Sequence, residues 1–139
     1  MAERAVADTG PLVAIVCTRE KAHKKCAAAL KTLRAPLLTC WPVLTEAAWL
    51  LRDEPGGMKA IAGLIESGLV KLVELDESAF AWIIAFMERY HSAGAQMAAA
   101  AVMYLAEREG INTVFTLDRR DFSIYRTTDG RALDIVPKP

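Results

Sequence analysis

Apolar and polar positions along the chain switch between a period of two and a period near 3.6. "RAVAD" (Arg4 to Asp8) is a short apolar run that ends on an acid, and Thr9, Gly10 and Pro11 follow it as a turn and a helix start. The pattern predicts a strand there, a helix from Pro11 to Cys17 and another from Glu20 to Arg34. "PLLTCW" (Pro36 to Trp41) reads as a second strand, and Pro42 opens a helix that carries Thr45, Glu46, Trp49 and Leu50. Gly56 and Gly57 break the pattern before "MKAIAGLIESG", whose Ile61, Leu64 and Ile65 share one helical face. "LVKLVEL" (Leu69 to Leu75) alternates as a strand does. Asp76 can accept from the free N–H groups of a first turn, and Ala79, Phe80, Ile83, Ile84 and Met87 give the following helix its apolar stripe. An alanine-rich helix in "QMAAAAVMYLAEREG" (Gln96 to Gly110) stops at Gly110. "NTVFTLD" reads as a fourth strand and "ALDIV" as a fifth.

Strands separated by helices imply right-handed crossovers and a mostly parallel sheet covered on both faces. The expected fold is α/β: a three-layer α/β/α sandwich around four or five strands. Its length of 139 residues, with 53 % hydrophobic composition, fits one domain over residues 1–139 with a single core and no linker. Formal net charge is zero and the sequence pI is about 6.7, so no overall positive field draws the chain to nucleic acid or an anionic membrane. Such a partner needs a local patch. Cys17, Cys26 and Cys40 lack paired metal or redox spacing and read as reduced, small apolar residues. No apolar stretch approaches the roughly 18 residues that span a bilayer, and the short apolar run after Glu3 and Arg4 is too brief for a signal peptide. A soluble, cytoplasmic protein is expected.

In parallel α/β sheets, ligands bind beyond the carboxyl ends of the strands. Three acids meet that condition: Asp8 ends the first strand, Glu46 lies in the first turns of the helix after the second, and Asp118 follows the fourth. Carboxylates gathered at one point repel one another unless a cation or proton neutralises them. A hard divalent ion, Mg²⁺ or Mn²⁺, accepts oxygen ligands and keeps open positions for a phosphate oxygen and a water, which points to phosphodiester hydrolysis. Helix capping is the alternative role for each acid.

"AVADTGPLVAIV" resembles the opening of PIN domains, in which a strand delivers an Asp followed by Ser or Thr. "TCWPVLTEAAWLL" resembles their second motif, with its Glu on a helix, and "LAEREGINTVFTLDRRDFSIYR" resembles their last. The likeness covers essentially the whole chain, with three motifs in order. It implies a metal-dependent ribonuclease, and at this length a VapC toxin of a type II VapBC toxin-antitoxin system, with an RNA substrate, a VapB-like antitoxin partner and a homodimeric state. Carried over with it are Asp8, Glu46 and Asp118 as metal-site acids using Mg²⁺ or Mn²⁺, with Thr9 and Thr116 as hydroxyl neighbours. Asp121 is a looser member that can equally cap the next turn or pair with Arg119 or Arg120.

The family's "ADA" element, counted back from "AEREGI", places its acid at Ala99. Gln96, the one polar side chain nearby, cannot supply the missing charge. A deliberate Asp-to-Ala replacement that disarms a toxic nuclease and a natural loss both produce this residue, and close helix-to-sheet packing accounts for Ala98, Ala100 and Ala101. The chain is therefore expected to be impaired, and a catalytically silent scaffold that binds an antitoxin or RNA is the rival function. An Asp-nucleophile phosphatase is disfavoured, because Gly10 stands two residues after Asp8 where a second Asp is needed. Arg119, Arg120 and Arg126 follow Asp118 and are expected to contact RNA phosphates. The run of Lys21, Lys24, Lys25, Lys31 and Arg34 reads as a solvated helix face, with RNA phosphates or an acidic partner segment as its alternative use. His23 and His91 read as surface residues, and Trp41, Trp49 and Trp82 as core or subunit-interface residues.

Overall fold

The computed structural model describes residues 2–139. Its five strands, β1 (Val6–Ala7), β2 (Leu37–Thr39), β3 (Val70–Leu72), β4 (Thr113–Phe115) and β5 (Asp134–Val136), form one sheet in the order β3-β2-β1-β4-β5. Every pairing is parallel, with Val6 opposite both Leu38 and Val114. Val6, Ala7, Leu37, Leu38, Val114 and Phe115 are buried, as expected of central strands covered on both faces. The expected parallel α/β/α sandwich is therefore the observed fold.

Seven helices cover the sheet: α1 (Thr9–Val16), α2 (His23–Leu30), α3 (Trp41–Leu50), α4 (Gly57–Glu66), α5 (Glu77–Arg89), α6 (Met97–Glu109) and the short α7 (Arg119–Phe122), with a 3₁₀ turn at His91–Ala93. Asp76 caps α5 by accepting from the Ala79 amide at 3.1 Å. Gly110 ends α6 at φ 66°, the left-handed conformation that glycine adopts without steric cost. Ala98, Ala100 and Ala101 are buried where α6 crosses β1 and packs against α3 and α5. A bulkier side chain at Ala100 or Ala101, both fully buried, would push the helix off the sheet.

Three expectations change. The helix expected from Glu20 to Arg34 is confined to His23–Leu30. Its first residues form turns closed by Glu20 N–H to the Cys17 carbonyl and His23 N–H to the Glu20 carbonyl, and the Thr32 hydroxyl caps its end by donating to the Ala29 carbonyl at 2.6 Å. His23 is not a free surface residue: it is half-buried, with Nδ1 2.7 Å from the Ala14 carbonyl. Of the two roles expected for Trp41 and Trp49, core or subunit interface, the core is excluded: they are 63 % and 64 % exposed on α3, and the Arg52 guanidinium lies 4.0 Å from the Trp49 ring centre. The three cysteines are free and buried.

The strand order sets the place of any site. The chain runs outward from β1 through β2 to β3, then returns to the other side of β1 for β4 and β5. The crevice between β1 and β4 is thus the switch point, where loops diverge and a ligand can enter. Asp8 follows β1 and Asp118 follows β4.

Candidate metal and nuclease site

Asp8, Glu46, Gly94, Gln96, Ala99, Asp118, Asp121 and Tyr125 line one cavity of about 250 Å³ at this switch point. The sheet supplies Asp8 and Asp118 directly, and the Asp8 amide donates to the Phe115 carbonyl at 2.9 Å, tying the two strand ends together. Glu46 reaches in from the second turn of α3 and Ala99 from the first turn of α6. The Thr116 hydroxyl connects the acids: it donates to Asp8 Oδ2 at 2.8 Å and accepts from the Asp118 amide at 3.0 Å. Asp118 in turn caps α7, Oδ1 accepting from the Asp121 amide at 3.0 Å. Capping and cavity lining therefore coexist in one side chain.

The electrostatics are those of unneutralised negative charge. Burial pushes the Asp8 carboxyl up from its ordinary range, and the charge of Asp118 pushes the same way, against the opposing Thr116 and Thr9 hydrogen bonds. Glu46 is raised by burial first and by Asp8 second. The Thr9 hydroxyl, which opposes that rise, has one proton to share between Glu46 and the Val43 carbonyl at 3.3 Å. Asp121 is raised by burial and by Asp118. The Tyr125 phenol is pushed up to about 12 by burial and then by Asp121, Asp118 and Asp8. It therefore stays neutral at neutral pH.

This repulsion yields a stability prediction. A carboxyl whose pKa is raised by folding binds protons more tightly in the folded state, so its contribution to stability falls as pH rises above the unfolded value of about 3.9. At pH 7 in chelator, Asp8→Asn, which can still accept from Thr116, is expected to raise the melting temperature by a few degrees. The gain should shrink toward pH 4. A melting curve in EDTA that shows Asp8→Asn below the parent at pH 7 would refute this sign.

The donor set suits a hard cation: it consists of carboxylate oxygens, with no thiol or imidazole in the lining. Among the described residues, however, no three His, Cys, Asp or Glu side chains stand as a ready-made ligand cluster. The geometry gives two reasons. Asp118 is turned toward the α7 amides, and the α6 wall presents the methyl group of Ala99.

The arginines are placed differently from expectation. Arg119 donates through Nη1 to the Pro137 carbonyl at 2.7 Å, which anchors the C-terminal segment and turns the side chain away from the acids. Arg120 is exposed beside Asp121, and its charge only partly offsets the rise of that carboxyl. Arg126 lines a different pocket, with Arg89 and Trp82. The basic run from Lys21 to Arg34 is solvent-exposed, and Arg34 N–H bonds the Glu3 carbonyl ahead of β1, at the opposite end of the sheet from the acids. Tyr125 is the cavity residue that sequence reasoning did not single out. The available signal was its place four residues after Asp121, one helical turn on.

Known proteins resemble this arrangement at the level of fold. The crystal structure of Mycobacterium tuberculosis VapC20, described as a sarcin-ricin loop cleaving toxin, superposes with a TM-score of 0.77 over 86 % of this chain and 94 % of that one, at 16 % identity. The structure of PAE2754 from Pyrobaculum aerophilum gives a TM-score of 0.50 over 94 % of this chain and 91 % of that one, at 19 % identity. No curated protein matches the sequence. The family model described as PIN domain matches residues 5–127, which takes in the strand ends carrying Asp8 and Asp118, the Glu46 helix and Ala99. With that match over most of its length, the chain belongs to the PIN domain family.

Proposed function

We propose that this protein is a VapC-type toxin ribonuclease of a type II toxin-antitoxin system, impaired in this chain by alanine at position 99. The observation that carries the reading is the single cavity at the β1/β4 switch point, into which Asp8, Glu46, Asp118 and Asp121 bring carboxylates and Ala99 brings none. VapC20, whose fold this chain shares, is described as a sarcin-ricin loop cleaving toxin, and the substrate class proposed here is RNA.

In this reading Asp8 and Asp118 hold a divalent ion, Mg²⁺ or Mn²⁺, Glu46 orients it or a nearby water, and Asp121 adds negative charge. Such an ion, when bound, polarises the phosphate and lowers the pKa of the attacking water. The chain's own residues do the rest. Thr116 fixes the Asp8 carboxylate through its 2.8 Å hydrogen bond, so one oxygen keeps its direction while the other faces the cavity. Tyr125, neutral at working pH, walls the cavity without adding charge. Because the carboxyls of Asp8 and Glu46 are raised, protons compete with a cation for the same oxygens more strongly than on free acids, so ion binding should strengthen as pH rises.

A VapB-like antitoxin, a homodimer and a cytoplasmic setting belong to the same proposal. The exposed apolar face of Trp41, Trp49 and Leu50 on α3 is a surface available for a protein contact, and no helix among the described residues is long and apolar enough to cross a membrane. The test is co-expression with the small gene next to it: copurification of a short partner and suppression of RNA cleavage by it are expected. A neighbourhood without such a gene, together with no cleavage of any RNA by a chain carrying the restored acid, would refute the toxin reading. The rival, a silent scaffold that binds RNA or antitoxin without cutting, is favoured by Ala99 and by the lack of a ready-made ligand cluster among the described residues. Under it, binding persists in both proteins and cleavage in neither.

A further inference from the structure

We propose that a second pocket, between α5 and the segment after α7, holds one unpaired nucleotide of the RNA, its base against Trp82 and Phe86 and its phosphate paired with Arg89 and Arg126. The proposal rests on the ribonuclease reading for its choice of occupant. The pocket, about 240 Å³, is lined by Trp82, Ala85, Phe86, Arg89, Arg126 and Thr128. That is below the roughly 300 Å³ at which sites for drug-sized ligands begin, and suits one flat ring.

Its floor is fixed in advance. The Trp82 and Phe86 rings stack at 5.4 Å and 12°, Tyr104 meets Trp82 edge-on at 5.4 Å, and Trp82 Nε1 donates to Glu107 Oε2 at 3.1 Å. An indole held on these sides and still partly exposed meets an incoming base without losing side-chain freedom on binding.

Its charge is one-sided. No carboxylate is in the lining, and neither Arg89 nor Arg126 forms an ion pair among the described residues. The nearest acid, Glu107, is already engaged: besides Trp82 it accepts from the Thr128 amide at 2.6 Å and the Thr128 hydroxyl at 2.8 Å. Arg126 is held in place by Nη1 donating to the Ser123 and Tyr125 carbonyls, at 2.8 and 2.9 Å, while its Nε and Nη2 make no hydrogen bond among the described residues. Arg89 lies over the Tyr90 ring at 5.1 Å. Two cations beside an aromatic floor select an occupant that is both anionic and planar.

Its position links it to the acids. Phe86 meets the Tyr125 ring edge-on at 5.0 Å, and Tyr125 lines the acid cavity. The two cavities adjoin through this ring pair, and in this proposal one RNA strand reaches both.

The test measures binding and cutting separately. Binding of a fluorescein-labelled single-stranded RNA of about ten nucleotides is followed by anisotropy in EDTA, where no metal-dependent cleavage occurs, for the parent, Arg89→Ala and Arg126→Gln. Each substitution is expected to raise Kd by about tenfold and to reduce the salt slope by about 0.7 for each phosphate that is no longer neutralised. Arg89 is exposed, so its variant tests the pocket without disturbing the fold. An oligonucleotide with abasic positions should bind the parent about tenfold more weakly than the intact one, because stacking is removed. Unchanged RNA affinity in both variants, or no RNA binding by the parent, overturns the proposal. So does a pattern in which the variants lose an aspartate-rich peptide but keep RNA, which assigns the pocket to a protein partner. Cleavage by Ala99→Asp with KM unaffected by Arg89→Ala would remove the pocket and leave the nuclease standing. Arginine-dependent binding with no cleavage by Ala99→Asp would do the reverse.

Discussion

Ala99→Asp is expected to raise Mn²⁺-dependent or Mg²⁺-dependent RNA cleavage by on the order of a hundredfold or more over the parent chain. Residues that merely support metal ligands change activity by about 10- to 100-fold, so a residue contributing a carboxylate directly should reach the top of that range. The cavity has the room: Ala99 is half-buried on its wall, across from Asp8 and Asp118, and its methyl group faces the space they line. The same substitution has a signed effect on stability. In chelator it adds a carboxylate to a site where burial already pushes Asp8, Glu46 and Asp121 upward, helped by the charge of Asp118 on Asp8 and Asp121 and of Asp8 on Glu46, so the melting temperature should fall. Adding Mn²⁺ should recover that loss, because an ion that binds only the folded state at 100 times its Kd contributes about 2.7 kcal/mol. The parent should respond to Mn²⁺ less. A fluorogenic RNA assay and paired melting curves read both effects, and equal cleavage by the two proteins would show that position 99 has no part in the chemistry.

The fold was legible in the sequence because its signals are strong and local. Central parallel strands are mostly apolar, and the middles of "RAVAD", "PLLTCW" and "NTVFTLD" are. "RAVAD" and "NTVFTLD" end in Asp8 and Asp118 where the chain leaves the sheet, which is why these two acids could be placed at strand ends from the sequence. The observed strands are shorter than those runs, two or three residues each, because pairing ends where the chain turns toward the following helix. That Asp8 and Asp118 line one cavity was legible for the same reason, while the proposal that Ala99 stands where the family has an acid rests on its spacing from "AEREGI". What was not legible depends on tertiary direction. Arg119 follows Asp118 in sequence, yet its side chain bonds the Pro137 carbonyl, a partner 18 residues away. Trp41 and Trp49 are apolar residues on a helix that packs by its other face, where Val43, Leu44 and Ala47 are buried. Exposure of two tryptophans on one helix cannot be told from burial by hydropathy alone. Glu107 shows the opposite case: a charged residue in a helical run that fastens Trp82 and Thr128 from different parts of the chain.

The second large effect is expected at Tyr125. Replacing it with alanine should destabilise the protein by about 3–5 kcal/mol, the range for removing a buried aromatic ring, and lower the melting temperature by roughly 10–20 °C. Only 1 % of Tyr125 is exposed, and its ring meets Phe86, Tyr90 and Phe122 edge-on at 5.0, 5.1 and 5.2 Å. Phe86 and Tyr90 are held against each other at 4.6 Å, which limits how far they can collapse into the space. Tyr125→Phe separates the ring from its hydroxyl. It keeps the packing and removes a phenol held neutral by burial and by the charges of Asp121, Asp118 and Asp8, so its melting temperature should stay within a few degrees of the parent. Spectrophotometric titration provides an independent check: the parent should show one tyrosine ionising only near pH 12, and Tyr125→Phe should lack it. The pairing matters for the site because Tyr125 is wall to the acid cavity on one side and, through Phe86, floor to the arginine-flanked pocket on the other. Alanine there should therefore lose stability and RNA binding together, whereas phenylalanine should lose neither. If Tyr125→Ala melts with the parent, the aromatic cluster does not hold the two cavities in place.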